Sequence, residues 1–186
     1  AGGFAFKAGD GLYGTFECRS VDTLLVFGSN QGGTGRVYTV AVAGLPGARG
    51  DGQPITTLID LEAGTQPLHY FAGHADVTLL LANTGGFGLL AKLGDMTSRQ
   101  RGGKSFLSIA DGDRLLPPVP VGPRHTRIAC LSLSSRLLVF PLDELKLQSN
   151  GGKGLTLMDV DAKDPLVSVA TCADAVRVLG TEIGRA

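Results

Sequence analysis

The chain has no tryptophan, few cysteines and histidines, and no excess of charge of either sign. Its 186 residues include 17 lysines and arginines and 17 aspartates and glutamates. This balance excludes a strongly basic domain, although a local basic stripe is still allowed. No run of 18 apolar residues occurs, so the sequence predicts no membrane-spanning helix and no membrane partner.

Residues of the kinds that build catalytic and metal sites are scarce. The three cysteines, Cys18, Cys130 and Cys172, are too widely spaced for a zinc motif, and they predict reduced thiols in a cytosolic protein. No histidine has metal-ligand spacing to another histidine or cysteine. Asp111 and Asp113 fall on a predicted turn, where aspartate is common. Without a P-loop or a Ser-His-Asp arrangement, we expect no catalytic residue, no metal and no cofactor in this chain.

Glycine, by contrast, is abundant, at 28 residues. This abundance predicts many turns and therefore many short strands. Residues 37–42 alternate as expected of a half-buried strand, whereas residues 79–81 and 137–140 are apolar runs typical of strands buried on both faces. No segment sustains the period of a long helix, although residues 93–96 and 143–147 each allow one helical turn. The pattern predicts an all-β fold.

Two sets of landmarks recur along the chain at the same intervals. The glycines of three glycine-rich breaks are 51 and 49 residues apart, at Gly52, Gly103 and Gly152. The predicted turns of three hairpins have the same two spacings, at Gly35, Gly86 and Ser135. A unit of about 50 residues with four predicted strands favours a propeller-like arrangement of small sheets around an axis.

The repeat divides this single predicted domain into three whole units and two partial ones. The whole units are residues 21–72, 73–122 and 123–171, and the partial units are residues 1–20 and 172–186. Within the partial units, strands are predicted at residues 12–18 and 176–179. Because the chain starts half-way through a unit and lacks an initiator methionine, we expect it to be excised from a longer protein. We also expect an open ring whose terminal hairpins lack their full set of partners.

The glycine-rich breaks and their flanks carry a resemblance to a known family. The most specific stretches are residues 45–54, Arg-Gln-Arg-Gly-Gly-Lys at residues 99–104, and residues 139–145 followed by Gly-Gly-Lys-Gly at residues 151–154. They resemble blades of the C-terminal β-pinwheel domain of bacterial type IIA topoisomerases, which is found in gyrase and in topoisomerase IV. The resemblance implies an open pinwheel of four-stranded blades.

The same resemblance implies a function and a set of partners. A domain of this family is a non-catalytic module that holds and bends double-stranded DNA for decatenation and supercoil relaxation, while the rest of the enzyme uses ATP and magnesium. The implied partners are DNA, the N-terminal cleavage domain of the same polypeptide, the separate ATPase subunit and, in some bacteria, a condensin. The implied location is the bacterial cytoplasm, at the nucleoid.

The gyrase members of the family carry a box with the sequence Gln-Arg-Arg-Gly-Gly-Lys-Gly, and here its copies are degenerate. Residues 148–154 keep the frame but have neither arginine, and residues 100–105 are one arginine short and end in serine. This state favours topoisomerase IV over gyrase. Two alternatives stay open, namely a gyrase DNA-wrapping domain and a propeller-type scaffold that binds proteins.

Candidate DNA-binding residues follow from the chemistry of phosphate recognition. Cationic side chains attract phosphates, and glycines let backbone N–H groups approach them closely. The segment from Ser98 to Lys104 is the strongest basic cluster because it holds three cations and no acid. Arg36 and Arg136, at hairpin turns, are interpreted as solubilising. The predicted DNA-binding residues are Arg49, Arg99, Arg101, Gly102, Gly103, Lys104, Arg124, Arg127, Gly151, Gly152 and Lys153.

Overall fold

The computed structural model describes residues 8–9, 11–29, 34–47 and 50–173. Within them the regular secondary structure is almost entirely β, which confirms the predicted fold class. The strands are β1 Thr23–Ser29, β2 Thr34–Ala41, β3 Gln66–Gly73, β4 Thr78–Ala82, β5 Phe87–Lys92, β6 Lys104–Ser108, β7 Val119–Pro120, β8 Arg127–Ser132, β9 Leu137–Pro141, β10 Leu155–Thr156 and β11 Leu166–Cys172. One α-helical turn, α1, covers Leu93–Met96, and 3-10 turns cover Val42–Gly44, Ile55–Thr57 and Leu142–Glu144.

The strands form three antiparallel sheets, each centred on one hairpin. Their orders are β3-β1-β2-β6, β10-β5-β4-β7 and β11-β8-β9. In every sheet, the first strand of the hairpin pairs with the strand that follows that hairpin later in the same repeat. No described strand joins the third sheet to the first, so the pinwheel is open over the described residues.

The fourth strand of a sheet comes from the next repeat. Strand β6 pairs with β2, with Lys104 opposite Val37, and β10 pairs with β5, with Leu155 opposite Gly88. Each of the first two sheets therefore straddles two of the predicted units. The backbone ladder, rather than side-chain packing alone, ties neighbouring sheets together.

Equivalent hairpin turns occur at Gly86 and Ser135. Both residues have a positive φ, of 84° and 68°, and each donates its amide N–H to the carbonyl of the residue three positions earlier, at 3.0 Å. Ser135 is the one described non-glycine residue in this left-handed region. The predicted turn positions 86 and 135 are thus confirmed. The prediction at Gly35 is wrong, because this residue lies inside β2.

The hydrophobic core lies between neighbouring sheets, and β4 contributes to both layers. Its residues Leu79 and Leu81 pack with the first sheet, and Leu80 packs towards Ile128 of the third. All three leucines are buried, as predicted for residues 79–81. In the same layer as Ile128, burial raises the pKa of the Cys130 thiol to about 11, so this thiol is protonated and unreactive at neutral pH.

The matching prediction for residues 137–140 is wrong. Leu137 and Leu138 are 49% and 41% exposed. They lie on β9, which is an edge strand of the third sheet, and none of the described residues covers its outer side. Residues 137–140 do form a strand, as predicted. No described strand pairs with its outer edge, so its leucines stay exposed.

The first partial unit does not form the strand predicted for residues 12–18. Residues 11–19 have no regular secondary structure and are exposed. A strand there would pair with a preceding hairpin, as β3 pairs with β1, and the described residues contain no such hairpin. The segment instead rests on β3 through Tyr13, whose ring packs edge-on against Tyr70 at 5.2 Å between centroids. Residues 176–179 lie outside the described residues.

A glycine in the left-handed region directly precedes each exchanged strand. Gly103 has a φ of 62° and Gly154 a φ of 79°. A Cβ at Gly103 would lie within 3.0 Å of the Val37 carbonyl oxygen, and one at Gly154 equally close to that of Gly88. These two positions admit only glycine because the exchanged strand approaches the preceding hairpin backbone to backbone.

We expect Gly103→Ala and Gly154→Ala each to lower the free energy of unfolding by about 1–3 kcal/mol, from the strained φ and the displaced strand. Urea denaturation followed by circular dichroism measures the loss. Gly102→Ala is the matched control, since a Cβ there meets no atom within 4 Å and its φ is not positive. Equal stability of the Gly102 and Gly103 variants would contradict the backbone docking.

An aspartate fixes the hairpin turn of the third sheet. The Asp164 carboxylate accepts the Ser134 N–H at 2.6 Å, the Ser134 hydroxyl at 2.8 Å and the Arg136 Nε–H at 2.7 Å. Its side chain is 16% exposed. These bonds, led by that from the Ser134 amide, hold the pKa of Asp164 well below its usual value of 3.8. Arg136 is therefore part of the turn and not merely solubilising.

Because the folded pKa of Asp164 is depressed, its contribution to stability is present above pH 3.8 and is lost as the pH falls further. We expect Asp164→Asn to lower the Tm at neutral pH, and the gap from the wild type to shrink below about pH 4. Thermal unfolding across a pH series tests this. Asp111→Asn, at an exposed turn, is the control; a gap for Asp164→Asn that stays constant with pH would refute the role of the carboxylate.

Candidate nucleic-acid interface

The strongest basic segment forms a loop that the first sheet holds in place. We call residues 98–103, between α1 and β6, the basic loop. The Ser98 N–H donates to Thr39 Oγ1 at 2.9 Å, and Arg36 Nε donates to the Gly102 carbonyl at 2.6 Å. Both partners belong to β2 of the preceding hairpin, so the loop is rigidly oriented by the strand exchange. Arg36 is thus a structural residue, which sequence reasoning missed.

The two arginines of the basic loop have different environments. Arg99 is exposed and makes no hydrogen bond or ion pair with any residue that the structure describes. Arg101 turns towards Asp60, with 3.3 Å between its Nε and Asp60 Oδ1, and donates from Nη2 to the Thr57 carbonyl at 3.0 Å. Residues 98–104 include no acidic residue, but the fold places Asp60 beside Arg101. The expectation of a cluster without an acidic neighbour is therefore wrong.

The lysines of the Gly-Gly-Lys motifs both cover aromatic rings. Lys104 is half-buried, donates to the Asp95 carbonyl and lies 5.7 Å from the centroid of Phe106. Lys153 is exposed and lies 4.1 Å from the centroid of Phe87. The Lys104 ammonium group is thus used in contacts within the fold. That of Lys153 is exposed to solvent, where an anion could approach it.

The two Gly-Gly-Lys motifs do not occupy equivalent positions in the fold, although the sequence aligns Gly103 with Gly152. Since Lys104 and Leu155 occupy equivalent positions on β6 and β10, Gly103 corresponds to Gly154 and not to Gly152. The spacing of the exchanged strands is 51 residues. The two lysines therefore differ in position as well as in burial, and the expected repetition of one phosphate-binding loop is wrong.

The glycine amides are used inside the fold. Gly103 N–H donates to Gln100 at 3.0 Å, Gly151 N–H to Gln148 at 3.2 Å, and Gly152 N–H to Phe106 at 2.8 Å, in each case to the backbone carbonyl. Gly152 also extends β6 by a parallel bridge to Leu107. The prediction that these N–H groups are available to phosphate is wrong, because those of Gly103 and Gly151 close local turns and that of Gly152 docks its loop on β6. Gly102 contributes its carbonyl, which holds Arg36.

The remaining predicted cations lie apart from the basic loop. Arg124 and Arg127 are exposed and lie before and at the start of β8, in the third sheet. Arg127 borders a half-open cavity of about 480 Å³ together with His125 and Asp143. Arg49 lies outside the described residues. The described candidates thus form three groups, namely the basic loop held by the first sheet, residues 151–153 beside the second sheet, and Arg124 with Arg127 at the start of β8 in the third.

No cluster of three histidine, cysteine or carboxylate side chains that could hold a metal occurs in the described ranges. No helix in these ranges is both long and apolar enough to cross a membrane. Exposed cations on rigid loops are the chemically distinctive feature of this part of the chain.

Comparison with known proteins agrees with this architecture. The family described as "DNA gyrase C-terminal domain, beta-propeller" matches residues 128–173. The A subunit of DNA topoisomerase 4 from Neisseria gonorrhoeae is 36% identical over 154 residues, which are 80% of this chain and 20% of that protein. The E. coli ParC C-terminal domain superposes with a TM-score of 0.80 at 26% identity, covering 92% of this chain and 70% of that structure. A DNA gyrase A C-terminal domain shares the fold, with a TM-score of 0.62 and 21% identity over 82% of this chain and 48% of that one.

The chain therefore shares the β-pinwheel fold of the C-terminal domains of topoisomerase IV and gyrase, and it is similar in sequence to the A subunit of topoisomerase 4. It spans about a fifth of the length of the curated topoisomerase 4 relatives that it matches. The resemblance inferred from the glycine-rich breaks is confirmed.

Proposed function

We propose that this chain is the DNA-binding module of a topoisomerase IV, and that it grips the sugar–phosphate backbone of a duplex. The observation that carries the proposal is Arg99, an exposed guanidinium on a loop anchored to the preceding sheet. Because the loop backbone is already ordered, only the Arg99 side chain loses conformational entropy when it meets a phosphate. Backbone contacts of this kind position DNA without reading its sequence.

Further contacts come from cations elsewhere on the pinwheel. Arg124, Arg127 and Lys153 are exposed, and Arg49 belongs to the same predicted set. Because the chain has no net charge, its long-range attraction for DNA is weak and close contacts must supply the affinity. We expect binding that weakens steeply with salt.

In this proposal the chemistry lies elsewhere in the enzyme. The N-terminal cleavage domain of the same polypeptide and the separate ATPase subunit, with ATP and magnesium, carry out strand passage. The present domain holds the duplex for decatenation and relaxation, at the nucleoid in the bacterial cytoplasm. A condensin is a further proposed partner.

The contacts within the loops favour the topoisomerase IV function over DNA wrapping of the gyrase type. Bending a site of 20–30 base pairs costs about 1–6 kcal/mol, which phosphate contacts must offset. Here the amides of Gly103, Gly151 and Gly152 are already bonded, and Lys104 is turned inward. The domain therefore offers few contacts per blade, which supports modest bending without a full turn of wrap.

A second candidate function is a scaffold for a protein partner. It is favoured by the exposed leucines Leu133, Leu137 and Leu138 at the turn and edge of the third sheet. Exposed apolar side chains at a sheet edge are common in protein-binding surfaces. DNA binding and this role can coexist, since the leucines are separate from the basic loop.

We expect Arg99→Gln to weaken binding to a duplex of about 30 base pairs and to lower the salt slope by about 0.9, the loss of one phosphate contact. Fluorescence anisotropy across a salt series measures both quantities. Arg114→Gln is the matched control, because Arg114 is also exposed but lies beside the hairpin turn of the second sheet. If the two variants bind alike, the DNA contact lies outside the basic loop.

We also expect the isolated domain to constrain little writhe. A nicked circle is ligated in its presence, and the linking number is then measured by gel electrophoresis. The expected change is well below one turn per bound domain, because few contacts are available to offset bending. A change near one turn per domain would instead support the gyrase alternative.

A further inference from the structure

Asp60 and Arg101 form a clasp that joins the first repeat to the basic loop. The side chains pair at 3.3 Å, and the Asp60 N–H donates to the Arg101 carbonyl at 3.0 Å. The Arg101 guanidinium also donates to the Thr57 carbonyl at 3.0 Å. These contacts bind Arg101 to residues 57–60, which are 41 to 44 positions away along the chain.

The acid is held firmly although its side chain is exposed. Asp60 follows Ile59, which is buried in a core cluster with Val26 and Tyr38 of the first sheet. This anchor and the Arg101 carbonyl fix the backbone of Asp60 from both sides. The carboxylate thus occupies a defined place beside the basic loop, where a phosphate oxygen would otherwise approach Arg101.

We propose that Asp60 is an internal competitor of DNA phosphate, which keeps Arg101 from the duplex and so limits the affinity of the basic loop. The inference rests on the proposed DNA-binding function. A carboxylate and a phosphate oxygen offer the same charge-assisted acceptor to a guanidinium. Of the two arginines, Arg99 is therefore available and Arg101 is occupied.

The exposure of the pair makes it suited to limiting affinity and not to stabilising the fold. The Arg101 side chain is 57% exposed and that of Asp60 65%. Exposed ion pairs contribute little to folding stability, since water and salt screen them. Removing the acid should therefore change DNA binding more than stability. A module that must release DNA after each strand passage benefits from such a limit on its grip.

The test is a double-mutant cycle on DNA binding, read by anisotropy across a salt series. We expect Asp60→Asn to tighten binding about two- to five-fold, the size of one exposed charge contact, and to raise the salt slope by about 0.9. We expect Arg101→Gln alone to change affinity less than Arg99→Gln does. In the double variant, the rise in slope caused by Asp60→Asn should disappear, because Arg101 is the residue that it releases.

Two further variants distinguish the loss of the Asp60–Arg101 ion pair from the general effect of removing one negative charge. Asp76→Asn removes an equal charge from an aspartate that pairs with His74 and not with an arginine of the basic loop. Asp60→Glu keeps the charge and should bind as the wild type does. Thermal unfolding of each variant checks that the fold is retained.

The outcomes distinguish this inference from the proposed function. If the wild-type chain does not bind duplex DNA at low salt, both are overturned. If it binds and Arg99→Gln weakens it, but Asp60→Asn behaves like Asp76→Asn, only the inference is overturned. A gain from Asp60→Asn that persists in the Arg101→Gln background would also overturn it, since the acid would then act without the clasp.

Discussion

The fold depends on the close backbone approach between each exchanged strand and the hairpin of the repeat before it. At Gly103 and Gly154 the strand meets a carbonyl oxygen at a distance that leaves no space for a Cβ. The β-ladders that follow complete the first two sheets. This docking sets the inter-sheet cores. It also sets the orientation of the basic loop and, with it, the position of Arg99. The glycines of the Gly-Gly-Lys motifs are therefore, first of all, a requirement of assembly.

Because its glycines are needed for assembly, the Gly-Gly-Lys motif has a different interpretation in the fold than in the sequence. A glycine-rich loop with a lysine resembles a phosphate-binding nest when it is considered alone. In the fold, its amides bond to neighbouring carbonyls, and Lys104 covers Phe106. What remains for an external anion is the set of side chains that project from the loops, and in the basic loop Arg99 is the arginine without a partner among the described residues. The recognition of DNA proposed here thus uses cationic side chains placed by a rigid backbone.

Local features can be predicted from the sequence, and long-range ones cannot. The hairpin strands, the helical turn at residues 93–96 and the turns at Gly86 and Ser135 depend on alternation and turn chemistry within a few residues. The burial of the apolar run 137–140 depends instead on a neighbour that no local pattern reveals. The same holds for the pairing of Arg101 with Asp60 and of Arg36 with Gly102, which lie 41 and 66 residues apart. The predicted alignment of Gly103 with Gly152 is wrong by two residues, because Gly152 and Gly154 are equally plausible partners until the pairing of the strands is known.

The strand exchange also has a consequence for how the protein is made. Val37 and Lys104, like Gly88 and Leu155, are paired across 67 residues of chain. During translation the first hairpin is complete long before its outer strand has left the ribosome, so the edge of β2 stays open while most of the second repeat is synthesised. Such an edge is a site for mispairing with another nascent chain. Each repeat provides the strand that covers the open edge of the sheet before it. The sheets are therefore closed to mispairing in the order in which the chain is synthesised.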